Sequence, residues 1–208
     1  EAPWLAYLAG EYPTYPEQIL RHNHAQVYQR LAFMADDTQD PATYGDWYLQ
    51  VRNPVFTEGL VQLTMGAPLC NYNGGLQLAR VRWFDGQRRR PGLPRDVAAL
   101  VERLADDETV VHLVNLSATE ERQVVVQGGG FGEHRITEVR YGARERAGEA
   151  SPHWTDDRYR ERVVAETVER SAPVGDRSLT VRMRPATQVR LRLGMARFAH
   201  PPSYGLPW

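Results

Sequence analysis

The sequence predicts an α+β protein, with a helical N-terminal segment over residues 1–67 followed by an antiparallel β-sandwich over 68–208. Three observations carry this. Apolar residues up to Gly66 recur at three-and-four spacing, the signature of helices with one buried stripe. From Thr109 the period changes to two, first in TVVHLVNLSATEERQVVVQ and again at 178–193. In those last strands Leu179, Val181, Met183, Val189, Leu191 and Leu193 alternate with Thr180, Arg182, Arg190 and Arg192, which marks a sheet with one wet face.

Taken in order, residues 1–15 are apolar and aromatic, and Pro3, Gly10 and Pro13 are expected to interrupt any regular element. Pro16 suits the first turn of a helix running to Met34, with Leu20, His24, Val27, Leu31 and Met34 as its buried stripe. Asp36 and Asp37 end it. Asp40-Pro41 begins a short helix containing Tyr44, Trp47 and Tyr48. Asn53-Pro54 caps a further helix that stops at Gly66, a left-handed C-terminal position. A strand is predicted from Leu76 to Phe84, with Arg80 and Arg82 on its exposed side, then a turn at Asp85-Gly86 and a stiff linker from Arg88 through PGLP. Val97, Leu100, Val101 and Leu104 predict a short amphipathic helix over 96–105. The stretch 109–127 reads as two strands joined by a polar turn at the centre of a sheet. A weaker strand follows at 134–141, another over 163–168, and strong ones at 178–184 and 188–193, before a wrapping Pro- and aromatic-rich tail.

Composition narrows the function classes. A net charge of −1 argues against a dedicated nucleic-acid binder. All 25 basic residues are arginine, and Cys70 stands alone, which rules out an internal disulfide. No stretch approaches the roughly 18 apolar residues of a membrane span. The chain begins with Glu1, and we expect a fragment or a processed product.

Few residues promise chemistry. His22 and His24 diverge on a helix, with His24 turned to the core, so no metal site is expected. Glu133-His134 follows GGGFG, and an acid-base pair needs a carboxylate and an imidazole presented together. Asp46, Glu58 and Glu133 are the carboxylates that a glycoside hydrolase would draw on, across a separation of roughly 5–10 Å. The ligand-binding candidates are Trp47, Tyr48, Asn71, Tyr72 and Asn73, since aromatic faces and side-chain amides together suit sugars. His153 and Asp156-Asp157 lie in a charged stretch expected to be solvated surface, as is Arg88-Arg89-Arg90. Neither GxSxG, HExxH nor CxxC occurs, GGGFG leads into a strand rather than a phosphate-binding helix, and no cofactor is expected.

The blocks TVVHLVNLSATEERQVVVQ and SLTVRMRPATQVRLRLGM resemble the β-sandwich that closes many multidomain bacterial carbohydrate-active enzymes. The run from NPVFTEGLVQLTMGAP to RRRPGLP is similar to the C-terminal part of large, uncharacterised bacterial proteins. The resemblance implies an accessory region that buttresses or completes a catalytic domain, with the rest of a larger polypeptide or a partner subunit as its partner. A glycan-acting hydrolase and a non-catalytic glycan-binding module are the alternatives. No catalytic motif of a sugar-processing family falls on a numbered position here.

Overall fold

The computed structural model describes residues 2–68, 75–146 and 165–208. Helices lead into two packed antiparallel sheets of four and five strands, an α+β arrangement ending in a β-sandwich. The chain divides into two compact units, residues 1–81 and 82–208.

The first unit is helical. Helix α1 (Ala2–Leu8) forms in the segment expected to be irregular, and buries Trp4. Its Pro3 falls in the first turn, where a missing N–H costs nothing, and Gly10, at φ +82°, lies beyond its end. Helix α2 (Tyr15–Ala35) carries Pro16 in its first turn, one residue after its start. The face it buries is not the predicted one. Tyr15 and Asn23 are its buried residues, whereas Leu20, His24, Leu31 and Met34 are exposed. His24 therefore does not point to the core. Gly59 explains the rotation: a Cβ there would lie 2.4 Å from the Asn23 amide, so α2 meets the next helices where glycine permits close approach. Pro41–Thr43 make one 3-10 turn, capped by the Asp40 side chain at Ala42 N–H, 3.0 Å. Helix α3 (Asp46–Arg52) follows. Helix α4 (Glu58–Met65) begins later than Asn53-Pro54 suggests, because the Asn53 side chain accepts from Val55 N–H (3.0 Å) in a local turn instead of capping a helix. Gly66, at φ +62°, ends α4 as expected.

The second unit supplies the sandwich. Strand β1 (Val81–Asp85) is shorter than the predicted run from Leu76, because Gly75–Leu78 form a 3-10 turn. Arg82 is half-buried and donates to Gly130 O (3.1 Å), so it is not on a solvent face. Strands β2 (Arg90–Pro91), β3 (Val97–Leu104), β4 (Glu108–Asn115), β5 (Arg122–Gly128), β6 (Arg135–Arg146), β7 (Ala165–Asp176), β8 (Ser178–Met183) and β9 (Thr187–Ala196) complete the sheets. Their orders are β2-β1-β5-β8 and β3-β4-β9-β6-β7.

Two sequence expectations are corrected here. Residues 97–104 form a strand, not a helix, paired along β4 with a bulge between Val101 and Arg103. And β4 and β5 are not a hairpin in one sheet: β4 lies between β3 and β9, while β5 lies between β1 and β8 in the other sheet. Residues 116–121 cross from sheet to sheet. The fully buried Asn115 organises this crossing, its amide donating to Glu120 O (2.9 Å), Met183 O (3.2 Å) and Arg184 O (3.0 Å) while its oxygen accepts from Ser117 N–H (3.1 Å). Val111, Leu113, Val124, Val126, Ile136, Leu191 and Leu193 fill the space between the sheets. On the wet face Arg190 and Arg192 pair with Glu102 and Glu108.

Candidate functional site

A cleft of about 720 Å³ lies wholly in the helical unit, within the range of roughly 300–1,000 Å³ typical of small-molecule sites. Arg30 and Met34 from α2, Asp37 after it, Tyr44, Tyr48 and Arg52 around α3, Asn53–Phe56 ahead of α4 and Glu58 at its start form its wall.

Asp37 is the hub. One carboxylate oxygen, Oδ2, accepts from the hydroxyls of Tyr48 and Tyr44 (2.9 Å for the latter) and faces Arg52 Nε at 3.2 Å. The other, Oδ1, accepts from Gln39 N–H at 3.0 Å. The hydrogen bond from Tyr48, followed by that from the Gln39 backbone, holds the Asp37 carboxyl below the usual range. Burial, and then the bond to Asp37, push the Tyr48 hydroxyl up to about 12, and Asp37 likewise raises Tyr44. A carboxylate so supplied with donors stays ionised and is a poor proton donor.

The aromatic rings are similarly engaged. Tyr44 and Tyr48 stack at 4.1 Å between centroids, and the Arg52 guanidinium lies over the Tyr48 ring at 3.4 Å. Arg30 covers Phe56 at 4.9 Å and donates to Asn53 O (2.8 Å) and Gln50 O (3.3 Å), tying α2 to the end of α3. Two arginines and two carboxylates, Asp37 and Glu58, thus share one aromatic-walled cleft and cancel in formal charge.

The residues singled out in the sequence fall apart into separate places. Tyr48 and Glu58 reach this cleft. Trp47 is 65% exposed, packs its edge on Tyr48 at 5.6 Å, and does not line the cleft; nor does the exposed Asp46 at the start of α3. Asn71, Tyr72 and Asn73 lie outside the described residues, as do His153, Asp156 and Asp157. His22 is exposed and meets Phe56 edge-on at 6.1 Å. Among the described residues no group of three or more His, Cys, Asp or Glu side chains is placed to hold a metal ion.

Glu133 and His134 belong to the sandwich unit and are both buried. The Glu133 carboxylate accepts from Phe131 N–H at 2.8 Å, and the GGGFG loop wraps it so closely that a Cβ on Gly129 would stand 2.3 Å from it. His134 Nδ1 accepts from Phe198 N–H at 3.1 Å, which puts the imidazole proton of the neutral ring on Nε2. His200 N–H donates to Glu133 O (3.1 Å) and Ser203 N–H to Phe131 O (2.8 Å), so this pair fastens the C-terminal tail to the glycine loop.

Asp37, Arg52, Arg30 and Phe56 were not anticipated as site residues. A signal for Asp37 was present: a carboxylate just past a helix C-terminus faces the negative end of the helix dipole, and needs outside partners to stay there.

Residues 1–61 match a family model described as a domain of unknown function (DUF8034). That span holds every residue of the cleft named above. No curated protein and no solved structure matches the chain.

Proposed function

We propose that this chain is a non-catalytic accessory region of a larger carbohydrate-active protein, and that the cleft of its helical unit holds a neutral glycan. The observation that carries the reading is the charge-balanced, aromatic-walled cleft around Asp37, in which the central carboxylate is already committed to two tyrosines and an arginine. A site with equal positive and negative side chains suits an uncharged polyol better than an anion or a cation. The resemblance of the sandwich blocks to accessory domains of carbohydrate-active enzymes points the same way. A hydrolase needs an acid and a second carboxylate across the cleft, and Asp37 is held ionised by its donors.

Isothermal titration of the chain with mono- and oligosaccharides tests this, with reducing-end release measured on the same glycans. Binding without turnover is expected. Glu58→Ala, with an unchanged far-ultraviolet circular dichroism spectrum, should weaken binding at least roughly tenfold, the worth of a hydrogen bond to a charged group. Absence of heat with every glycan class overturns the binding reading. Turnover abolished by Glu58→Gln overturns the non-catalytic one.

A further inference from the structure

At the end of the four-stranded sheet where Gln127 of β5 pairs with Ser178 of β8, the sandwich unit holds a cavity of about 350 Å³. Gly132, at φ +70°, opens it: a Cβ there would touch Gln127 Cδ at 3.5 Å and Arg177 Cδ at 3.6 Å. Arg177, in the turn between β7 and β8, is held through its backbone. Its N–H donates to Asp176 Oδ1 at 2.6 Å, and its carbonyl accepts from Gly128 N–H at 2.8 Å. The side chain is half-buried, yet among the described residues it has no hydrogen-bond or ion-pair partner. Arg30, Arg52, Arg82, Arg122, Arg140 and Arg192 are also half-buried, and each has one. A guanidinium withdrawn from water costs free energy unless an acceptor or an opposite charge meets it.

We propose that this cavity binds a small monocarboxylic acid with an apolar body, its carboxylate taken by Arg177. A guanidinium fork presents two parallel N–H donors to a carboxylate. Gln127, only 5% exposed, offers a further donor: one of its two amide protons goes to Gly129 O at a long 3.4 Å, leaving the other. Asp176 limits the charge of the ligand. It lines the same cavity without pairing with the Arg177 guanidinium, so a second negative charge on the ligand would face it uncompensated. The exposed Arg89, its guanidinium 5.9 Å over the Trp208 ring, tips the local balance towards a single negative charge. The body of the ligand meets the tail. Leu206 and Trp208 line the cavity while 46% and 38% exposed, and Trp208 is fixed edge-on against Phe84 at 5.6 Å. Ser203 N–H, donating to Phe131 O at 2.8 Å, holds this apolar wall on the glycine loop. The volume lies at the small end of the roughly 300–1,000 Å³ range of ligand sites and suits an acid of the size of benzoate. The proposal stands on the sandwich unit and not on the cleft of the helical unit, so it and the glycan reading fail separately.

Titration calorimetry of the chain with benzoate tests this, beside benzamide, which keeps the ring without the charge, and inorganic phosphate. Benzoate should bind, and the other two at least tenfold more weakly. Arg177→Gln should weaken benzoate binding at least tenfold while leaving the thermal midpoint unchanged, because the side chain makes no hydrogen bond or ion pair among the described residues. Nuclear magnetic resonance of the unmodified chain reads the site without any variant: benzoate should shift the backbone amides of Gly132, Ser178 and Gly205 and the Trp208 indole, and leave residues 30–58 unmoved. Absence of a saturable shift at these positions overturns the proposal, as does benzamide binding as tightly as benzoate or an Arg177→Gln variant that binds benzoate unchanged. Phosphate binding as tightly as benzoate overturns the choice of a monocarboxylate.

Discussion

Asp37 stands at the negative end of a 21-residue helix, a place where an isolated carboxylate is unfavourable. Its three hydrogen-bond donors and the Arg52 cation reverse that preference, and the arrangement makes a pH signature. A lowered Asp37 pKa stabilises the fold above the ordinary carboxylate value of 3.8, and that contribution fades as pH falls through the lower folded value. Tyr48 works in the opposite direction: its contribution is whole below pH 10.0 and is lost as pH rises to about 12, because the unfolded chain releases the proton first. Titration of tyrosinate absorbance should therefore show a late-ionising class containing Tyr48, and Asp37→Asn should make it ionise earlier. An unchanged alkaline titration in that variant would refute the hydrogen bond. Asn115 is a second residue whose side chain decides more than its own position. Asn115→Ala removes the donor from one buried carbonyl and two part-buried ones, and a loss of about 1–3 kcal/mol is expected in urea unfolding. A change below measurement error would mean that the crossing is not held by this amide.

At the level of elements, sequence patterns were readable where local and tertiary preferences agree. Helix α2 and strands β4, β5, β8 and β9 appear where periodicity puts them, since each has a single dominant period. Residues 97–104 misled because the bulge between Val101 and Arg103 shifts the alternation by one and leaves apolar residues at helix-like spacing. Pairing with β4 decides the matter, a tertiary effect stronger than local propensity. The buried face of α2 misled for a related reason. Its most apolar stripe points outward, while a small residue on α4, Gly59, draws the helix inward along Asn23. Strands β6 and β7 run for 12 residues each, longer than the sequence suggests, because their outer faces are charged and Arg170 pairs with Glu145 across them. As for the cleft, Tyr48 and Glu58 were legible as polar or aromatic residues near turns. Asp37, Arg30 and Arg52 were not, since their meeting depends on three helices brought together from separate stretches.

Across the whole molecule, two of the sheet-to-sheet crossings run side by side. Strand β4 neighbours β9 and β5 neighbours β8, so the passage 116–121 lies next to the passage 184–186, and Ala186 N–H donates to Ser117 O at 2.8 Å. The fold class, two antiparallel sheets behind a helical segment, follows from strand count and alternation alone. Which strand joins which sheet does not, because a polar turn of six residues serves a hairpin as well as a crossing. Strand β9 is made after the other described strands of its sheet and is also the middle of it, with β4 on one side and β6 on the other. Vectorial synthesis therefore delivers the keystone at the end. While a ribosome holds residues 187–196, the earlier strands of that sheet wait with open edges, and those edges are places where nascent chains stick to one another. A chain terminated after Pro185 should accumulate in aggregates or be degraded, although it retains eight of the nine strands among the described residues; a soluble, cooperatively unfolding truncation would show that the sheet closes without its centre. Closure of this sheet waits for the strand at its centre.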